Sequence, residues 1–304
     1  MDDVKSRGVV DEPATARPRL TVREEIVAYM RRNPTLPWGL WILAGLLLFS
    51  LFARLYVEDI EHYRPLSTGA FLAPSGEYPL GTDSHGRDLL AVNGLGVLNT
   101  LMLGLLAGLI GVGVATVLAF MAAYYGGWLD AVVRLVVDVG LTIPSLLIMV
   151  LIAIAVQGID LWMMALVISS TSWLWPTRTI RSQVLTLKER AYVEVARLSG
   201  MRGIEIILKE LVPNLLPFII ASLVTTTASA ILASIGLEAL GLGPPDDPTL
   251  GMTIHRVIVY GGVIMGSWWW WLAPTILITL VFIALYLINL GTDELANPTL
   301  RRTV

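Results

Sequence analysis

Six apolar stretches divide this chain, at approximately residues 38–56, 95–122, 133–156, 159–175, 214–240 and 268–290, and each is long enough to cross a bilayer. A hydrocarbon core of about 30 Å requires roughly 20 helical residues. Runs of this length are read as helices, which satisfy their own backbone N–H and C=O groups in lipid. The pattern predicts an all-α polytopic membrane protein with six transmembrane helices. Composition bears on this in one respect: 55% of the 304 residues are apolar and only 15% are charged, against roughly 25% charged in soluble domains. That deficit excludes an ordinary water-bathed enzyme. The chain has no cysteine, which removes disulfides, thiolate metal sites and cysteine nucleophiles.

The distribution of Lys and Arg sets the orientation. Seven lie in the N-terminal tail, seven in segment 176–213 and two at the C-terminus, whereas the opposite side holds three, Arg64, Arg87 and Arg256. By the positive-inside rule both termini and segment 176–213 are expected in the cytoplasm. Residues 1–37 read as a cytoplasmic tail with no signal-peptide core; a capping box at Thr21 and Glu24 opens a short amphipathic helix suited to the membrane interface. The first span, 38–56, is followed by an external loop, 57–94, then a five-helix core over 95–290 and a cytoplasmic tail, 291–304. Trp38, Trp41, Trp128, Trp173 and Trp175 fall at inner span ends, and Trp162 and Trp268–Trp271 at outer ends, as an aromatic belt does.

Chemistry-bearing signatures are missing. There is no phosphate-cradling G-x-x-x-x-G-K-[ST], no H-E-x-x-H, and His62, His85 and His255 all fall outside the spans. The chain is therefore not expected to be an enzyme or to bind ATP, a metal or a cofactor, and no nucleic-acid partner is expected. Ionisable groups at bilayer depth are few: Asp138, with Arg134 four residues earlier as a local partner, and Glu238.

The informative segment is Arg190 to Pro217. A helix over Leu185–Ser199 mixes aliphatic and charged positions, Gly200 stands where a left-handed helix terminus is wanted, and a second amphipathic piece, Ile204–Leu211, runs to Pro213. Two short helices joined at a glycine and projecting from the cytoplasmic face form a docking device. A solvated loop is the plainer reading, but it needs no glycine at a set place and would not mix so many aliphatic positions with charges.

Within that segment Glu194-Val195-Ala196, Gly200 and Glu210-Leu211-Val212-Pro213 follow the E-A-A, three residues, Gly, nine residues, I-x-L-P pattern of the permease subunits of ATP-binding-cassette importers. Val195, Glu210 and Val212 depart from it, and none disturbs the glycine or the proline. Tyr78–Leu90 resembles the G-T-D-x-x-G-R-D element of the dipeptide/oligopeptide permease group, C-type subunit. Leu141–Val150 is similar to its P-S-L-L run, Leu240–Pro245 to its L-G-L-G turn, and Ala296–Arg302 to its tail. Two further departures stand out: no arginine occurs in Gly96–Leu101, and the group's acidic residue falls on Ser234.

The resemblance implies a type I ABC importer (MetI-like) permease fold in the cell (inner, cytoplasmic) membrane. It implies a second homologous permease subunit, two cytoplasmic ABC ATPase subunits that carry ATP and Mg, an external solute-binding protein, and import of di- or oligopeptides. Segment 185–213 would then dock on an ATPase: Tyr192, Glu194, Val195, Ala196, Arg197, Gly200 and Pro213 are the expected coupling residues, with Glu194 and Arg197 making polar contacts. On the fifth span Ser222, Thr225, Thr226 and Ser229 share one helical face. They are expected along the translocation path, with helix packing by small hydroxyl residues as the competing explanation. The external GTDSHGRD element reads as an ordered lid or a structural loop. The same machinery importing oligosaccharides is the alternative, and a stand-alone channel or secondary transporter is the other.

Overall fold

The computed structural model describes residue 30 and residues 33–57, 60–156 and 158–296. The Thr21/Glu24 capping box with its interfacial helix, and most of the 296–302 motif, lie outside them.

Helix α1 (Thr35–Tyr56) begins directly after Pro34, with Pro37 in its first turn, where the missing N–H costs nothing because first-turn donors have no intrahelical partner. Helix α2 (Leu89–Tyr125) is capped by the Asp88 carboxylate, which accepts from the Leu90 N–H at 2.8 Å. At 1.5 Å per residue its 37 residues extend about 55 Å, so the expected span 95–122 is the middle of a longer rod. It is the central element, packed by α1 and by the helices introduced below. Gly104, Gly108 and Gly111 lie along one face, where a Cβ would meet Ile231, Thr227 and Ser172. Small residues in this register let helix axes approach closely.

The expected single span 133–156 is two helices, α3 (Gly127–Thr142) and α4 (Ser145–Ala155), bent by 87°. The cause is local. Pro144 disfavours the helical region for the residue before it, and Ile143 is extended at φ −89°, ψ 128°. The next stretch forms α5 (Leu161–Ser172), capped by Asp160, and α6 (Leu174–Leu187). They are separated at Trp173, because Pro176 has no N–H for the Ser172 carbonyl. Among the described residues four helices are individually long and apolar enough to cross a bilayer, and the α3–α4 pair counts as a fifth if its halves are one span. At 12 residues α5 is too short on its own.

The cytoplasmic pair expected at 185–213 is arranged differently. The proposed helix Leu185–Ser199 is interrupted: α6 stops at Leu187, Arg190 is extended, and α7 (Ala191–Leu198) follows. The second piece is not separate. Helix α8 (Gly203–Ile206), a π-helical turn (Ile207–Leu211) and α9 (Val212–Ala239) form one continuous run, Gly203–Ala239. Pro213 cannot donate in an α pattern, and the widened turn immediately before it, with the Val212 N–H reaching Ile207 O, absorbs the mismatch. The described residues end with α10 (Leu250–Val259) and α11 (Trp268–Ala296), which packs against α1, α9 and α10.

The ion pair on α3 also differs from expectation. Asp130, not Asp138, is paired, with Arg181 of α6 in a two-pronged contact at 2.5 and 2.6 Å. A planar guanidinium matches a carboxylate in this fork geometry, and the pair ties the start of α3 to α6.

Candidate functional site

At one end of the bundle the chain between α6 and α8 turns through an elbow. In α7 the helical period turns Val193 and Ala196 inward, onto a core built from Ala119, Phe120 and Ala123 of α2 together with Ile180, Ile206 and Leu211. Tyr192, Val195 and Leu198 face outward, and Leu198 is 83% exposed. Across the turn Ile204 and Leu208 extend this uncovered apolar ridge, with Glu194 and Arg197 exposed beside it. Partial burial, with the Glu210 carboxylate adding to it, holds the Tyr192 phenol above its usual pKa.

Helix α7 closes as its sequence predicts. Gly200 has φ +82°; the Met201 N–H reaches Ala196 O at 3.2 Å and the Gly200 N–H reaches Arg197 O at 3.0 Å. That is a Schellman ending, which satisfies carbonyls the helix would leave open. No atom lies within 4 Å of where a Gly200 Cβ would stand, so the glycine serves its backbone angle and not close packing. The Glu205 carboxylate then accepts from the Arg202 N–H at 3.0 Å and opens α8. Pro213 is exposed after the π turn.

The elbow is bound to the C-terminal end of α2. Lys188 Nζ donates to Ala123 O at 2.9 Å, a cation at a helix C-terminus. The Arg197 guanidinium lies 5.7 Å from the centroid of the Tyr124 ring. A Cβ on Gly203 would lie 2.8 Å from Tyr124 Cε1. Of the expected coupling residues, Tyr192, Glu194, Val195, Arg197, Gly200 and Pro213 are at the surface and Ala196 is buried under them. Tyr124 and Lys188 were not among the expected site residues. The only hint of Tyr124 was a tyrosine pair closing an apolar span.

The α9 hydroxyl face divides. Thr225 and Ser229 are exposed and Ser222 is half-buried, whereas Thr226 is buried among its neighbours. The Thr225 hydroxyl is within bonding distance of Ala221 O, at 3.0 Å, and of Asn289 Oδ1 on α11, at 2.8 Å.

At the other end, the GTDSHGRD element is knitted into a cap. Asp83 Oδ1 accepts from the His85 and Arg87 N–H groups at 2.8 and 3.0 Å, and Oδ2 accepts from Arg87 Nε at 2.7 Å. Both side chains are buried. Thr82 donates to Gly69 O and accepts from the Leu72 N–H, while Trp269 Nε1 reaches Thr82 O. Trp270 is buried with Leu89 and Val257. Within the four-tryptophan run, Trp268 is exposed like a belt residue and its neighbours pin the cap. Beneath it Glu238 is buried. Its Oε2 accepts from Thr249 Oγ1 at 2.8 Å, and its Oε1 has no hydrogen-bond partner among the described residues. Among the described residues no group of three His, Cys, Asp or Glu side chains could hold a metal.

Comparison with known proteins gives a consistent result. The family described as "Binding-protein-dependent transport system inner membrane component" matches residues 115–302, which include the elbow. The chain is 28% identical over 286 residues to the dipeptide transport system permease protein DppC of Bacillus subtilis (strain 168), covering 94% of this chain and 88% of that one. It is 31% identical over 216 residues to the oligopeptide transport system permease protein OppC of Mycobacterium tuberculosis (strain ATCC 25618 / H37Rv), covering 70% and 74%. To OppC of Lactococcus lactis subsp. cremoris (strain SK11) it is 28% identical over 230 residues, covering 75% and 76%.

Proposed function

The chain belongs to the family of binding-protein-dependent transport system inner membrane components, and from that premise we propose that it is the transmembrane permease subunit of an ATP-driven importer of di- and oligopeptides. It is a multi-pass protein of the cell membrane. In this reading it forms half of the translocation pathway beside a second permease, receives solute from an external binding protein, and is moved by two cytoplasmic ATPases that hold ATP and Mg.

The observation that carries the reading is the elbow. Its outward ridge of Tyr192, Val195, Leu198, Ile204 and Leu208 is apolar and uncovered, next to a segment with seven basic residues. A contiguous exposed apolar patch rimmed by charge is what a protein partner covers. The cationic segment is also the side that the positive-inside rule assigns to the cytoplasm. The crossings then number six: α1, α2, the bent α3–α4 pair, α5 with the first turns of α6, α9 and α11, with both termini inside. The peptide cargo is supported by the relatives, whose names are those of dipeptide and oligopeptide permeases.

For the path, Ser222, Thr225 and Ser229 are assigned to its wall and Thr226 to helix packing. Hydroxyls on an open helix face at bilayer depth are better placed beside water than beside lipid.

Reconstitution with the partner permease, ATPases and binding protein in proteoliposomes tests the reading. ATP-dependent accumulation of labelled peptides is expected. Uptake by this chain alone without ATP, or uptake of oligosaccharides in place of peptides, would overturn it. In the same vesicles, single cysteines at 222, 225 and 229 of this naturally cysteine-free chain should react with water-soluble thiol reagents and a cysteine at 226 should not.

A further inference from the structure

If the elbow couples to ATPases as proposed above, its contacts with the spans matter, and they gather at the C-terminal end of α2. Three contacts from the elbow converge on two consecutive residues there. Lys188 Nζ holds Ala123 O at 2.9 Å, from the residue immediately after α6. Arg197, in the last turn of α7, lays its guanidinium over the Tyr124 ring at 5.7 Å. Gly203, the first residue of α8, passes so near that a Cβ would stand 2.8 Å from Tyr124 Cε1. Tyr124 thus touches the elbow on both sides of the Gly200 turn. The same ring packs against the core cluster that joins α2, α6, α7 and α9, and it meets Tyr125 edge-on with centroids 5.2 Å apart.

Exposure sharpens the point. Arg197 is on the surface yet lies over its own chain's aromatic face, while its neighbours Val195 and Leu198 point outward uncovered. From Tyr124 toward Leu89, α2 is one uninterrupted helix, and no proline breaks its hydrogen-bond ladder. A displacement imposed at its C-terminal end is carried along a rigid rod that packs against α1, α5, α6 and α9.

We infer that Tyr124 is a positioning residue for transport: clasped between Arg197 and Gly203, it transmits displacement of the elbow to the central helix α2. The inference rests on the coupling role proposed for the elbow and names the element that receives the movement.

The measurement is solute accumulated per ATP hydrolysed in proteoliposomes containing the whole complex, compared for wild type, Tyr124→Phe, Tyr124→Leu and Arg197→Gln. Phenylalanine keeps the ring face that attracts a cation, whereas leucine keeps only apolar bulk. Tyr124→Leu is expected to lower the ratio by about two- to fivefold, the factor that an exposed cation–π contact represents. Tyr124→Phe should match wild type, and the Tyr124→Leu/Arg197→Gln pair should be no worse than the more impaired single variant. Should Tyr124→Leu fail to assemble, Arg197→Gln, whose exposed side chain lies outside the core, carries the test through the same ratio. A wild-type ratio in Tyr124→Leu or Arg197→Gln, or an equal loss in Tyr124→Phe and Tyr124→Leu, overturns the inference. ATP-independent uptake by the wild-type complex would instead overturn the coupling role itself, so the two failures are distinguishable.

Discussion

The two ends of the bundle solve opposite problems with the same kinds of residue. In the GTDSHGRD element of the capped end the charged side chains are turned inward and matched within the chain: Asp83 takes two backbone N–H groups and Arg87, and Trp269 donates to Thr82 O. At the elbow the arrangement is inverted. Charged Glu194 and Arg197 are outside, and large aliphatic side chains at 195, 198, 204 and 208 are outside with them. Buried, fully partnered polar groups specify one arrangement of a loop, because any other leaves a desolvated charge unpaired. An apolar ridge without a cover specifies nothing within its own chain and needs a partner. The difference teaches that the cap is finished by folding, whereas the elbow, in the function proposed above, is finished by assembly.

The contrast is broken most sharply at Asp83. Asp83→Ala leaves Arg87 buried without its carboxylate, and removal of one partner from a buried pair costs about 3–5 kcal/mol. A marked fall in the thermal unfolding temperature of the detergent-solubilised protein is expected, and an unchanged value would mean the cap is not held by this pair. The middle effect lies at Gly200. With φ at +82° and open space around its Cβ, Gly200→Ala costs about 1–2 kcal/mol through backbone conformation alone, a smaller fall on the same measurement. The smallest stability effect belongs to Leu198→Ser. An exposed substitution away from caps and core stays within about 0.5 kcal/mol, yet co-purification of the ATPases should weaken. A variant that unfolds early but still binds the ATPases would reverse the assignment of Leu198.

Legibility in the sequence followed the same division. Gly200 was readable as a helix terminus because a glycine between two periodic segments has few other uses, and the structure gives it the left-handed angle that this implies. That the chain crosses the membrane several times was readable because hydrophobicity is a property of each segment. The break at Ile143–Pro144 was not, although Pro144 stood in view: hydropathy averages along the chain and carries no direction, so two helices at 87° read as one. The join between the elbow's second piece and α9 was missed for the reverse reason. Pro213 read as a stop, and the π turn that lets the helix pass it is a backbone adjustment with no residue signature of its own. Asp138 was paired with Arg134 on helical spacing alone, whereas the ion pair forms between Asp130 and Arg181, because a helix-to-helix contact offered a two-pronged partner that the local neighbour did not.

By itself the sequence determined that this chain is helical and membrane-embedded, since apolar runs of about 20 residues match a helix crossing the bilayer and a helix satisfies its own backbone in lipid, and that its basic segment ends a helix at a glycine. Only the tertiary structure decided which of the motif's residues face inward, that the GTDSHGRD charges hold a cap together, and that Tyr124 sits beneath the elbow. Asp83 and Arg87 are only four residues apart, but Trp269 meets Thr82 and Arg197 meets Tyr124 across long stretches of chain, and distance along a sequence carries no record of which surfaces will meet.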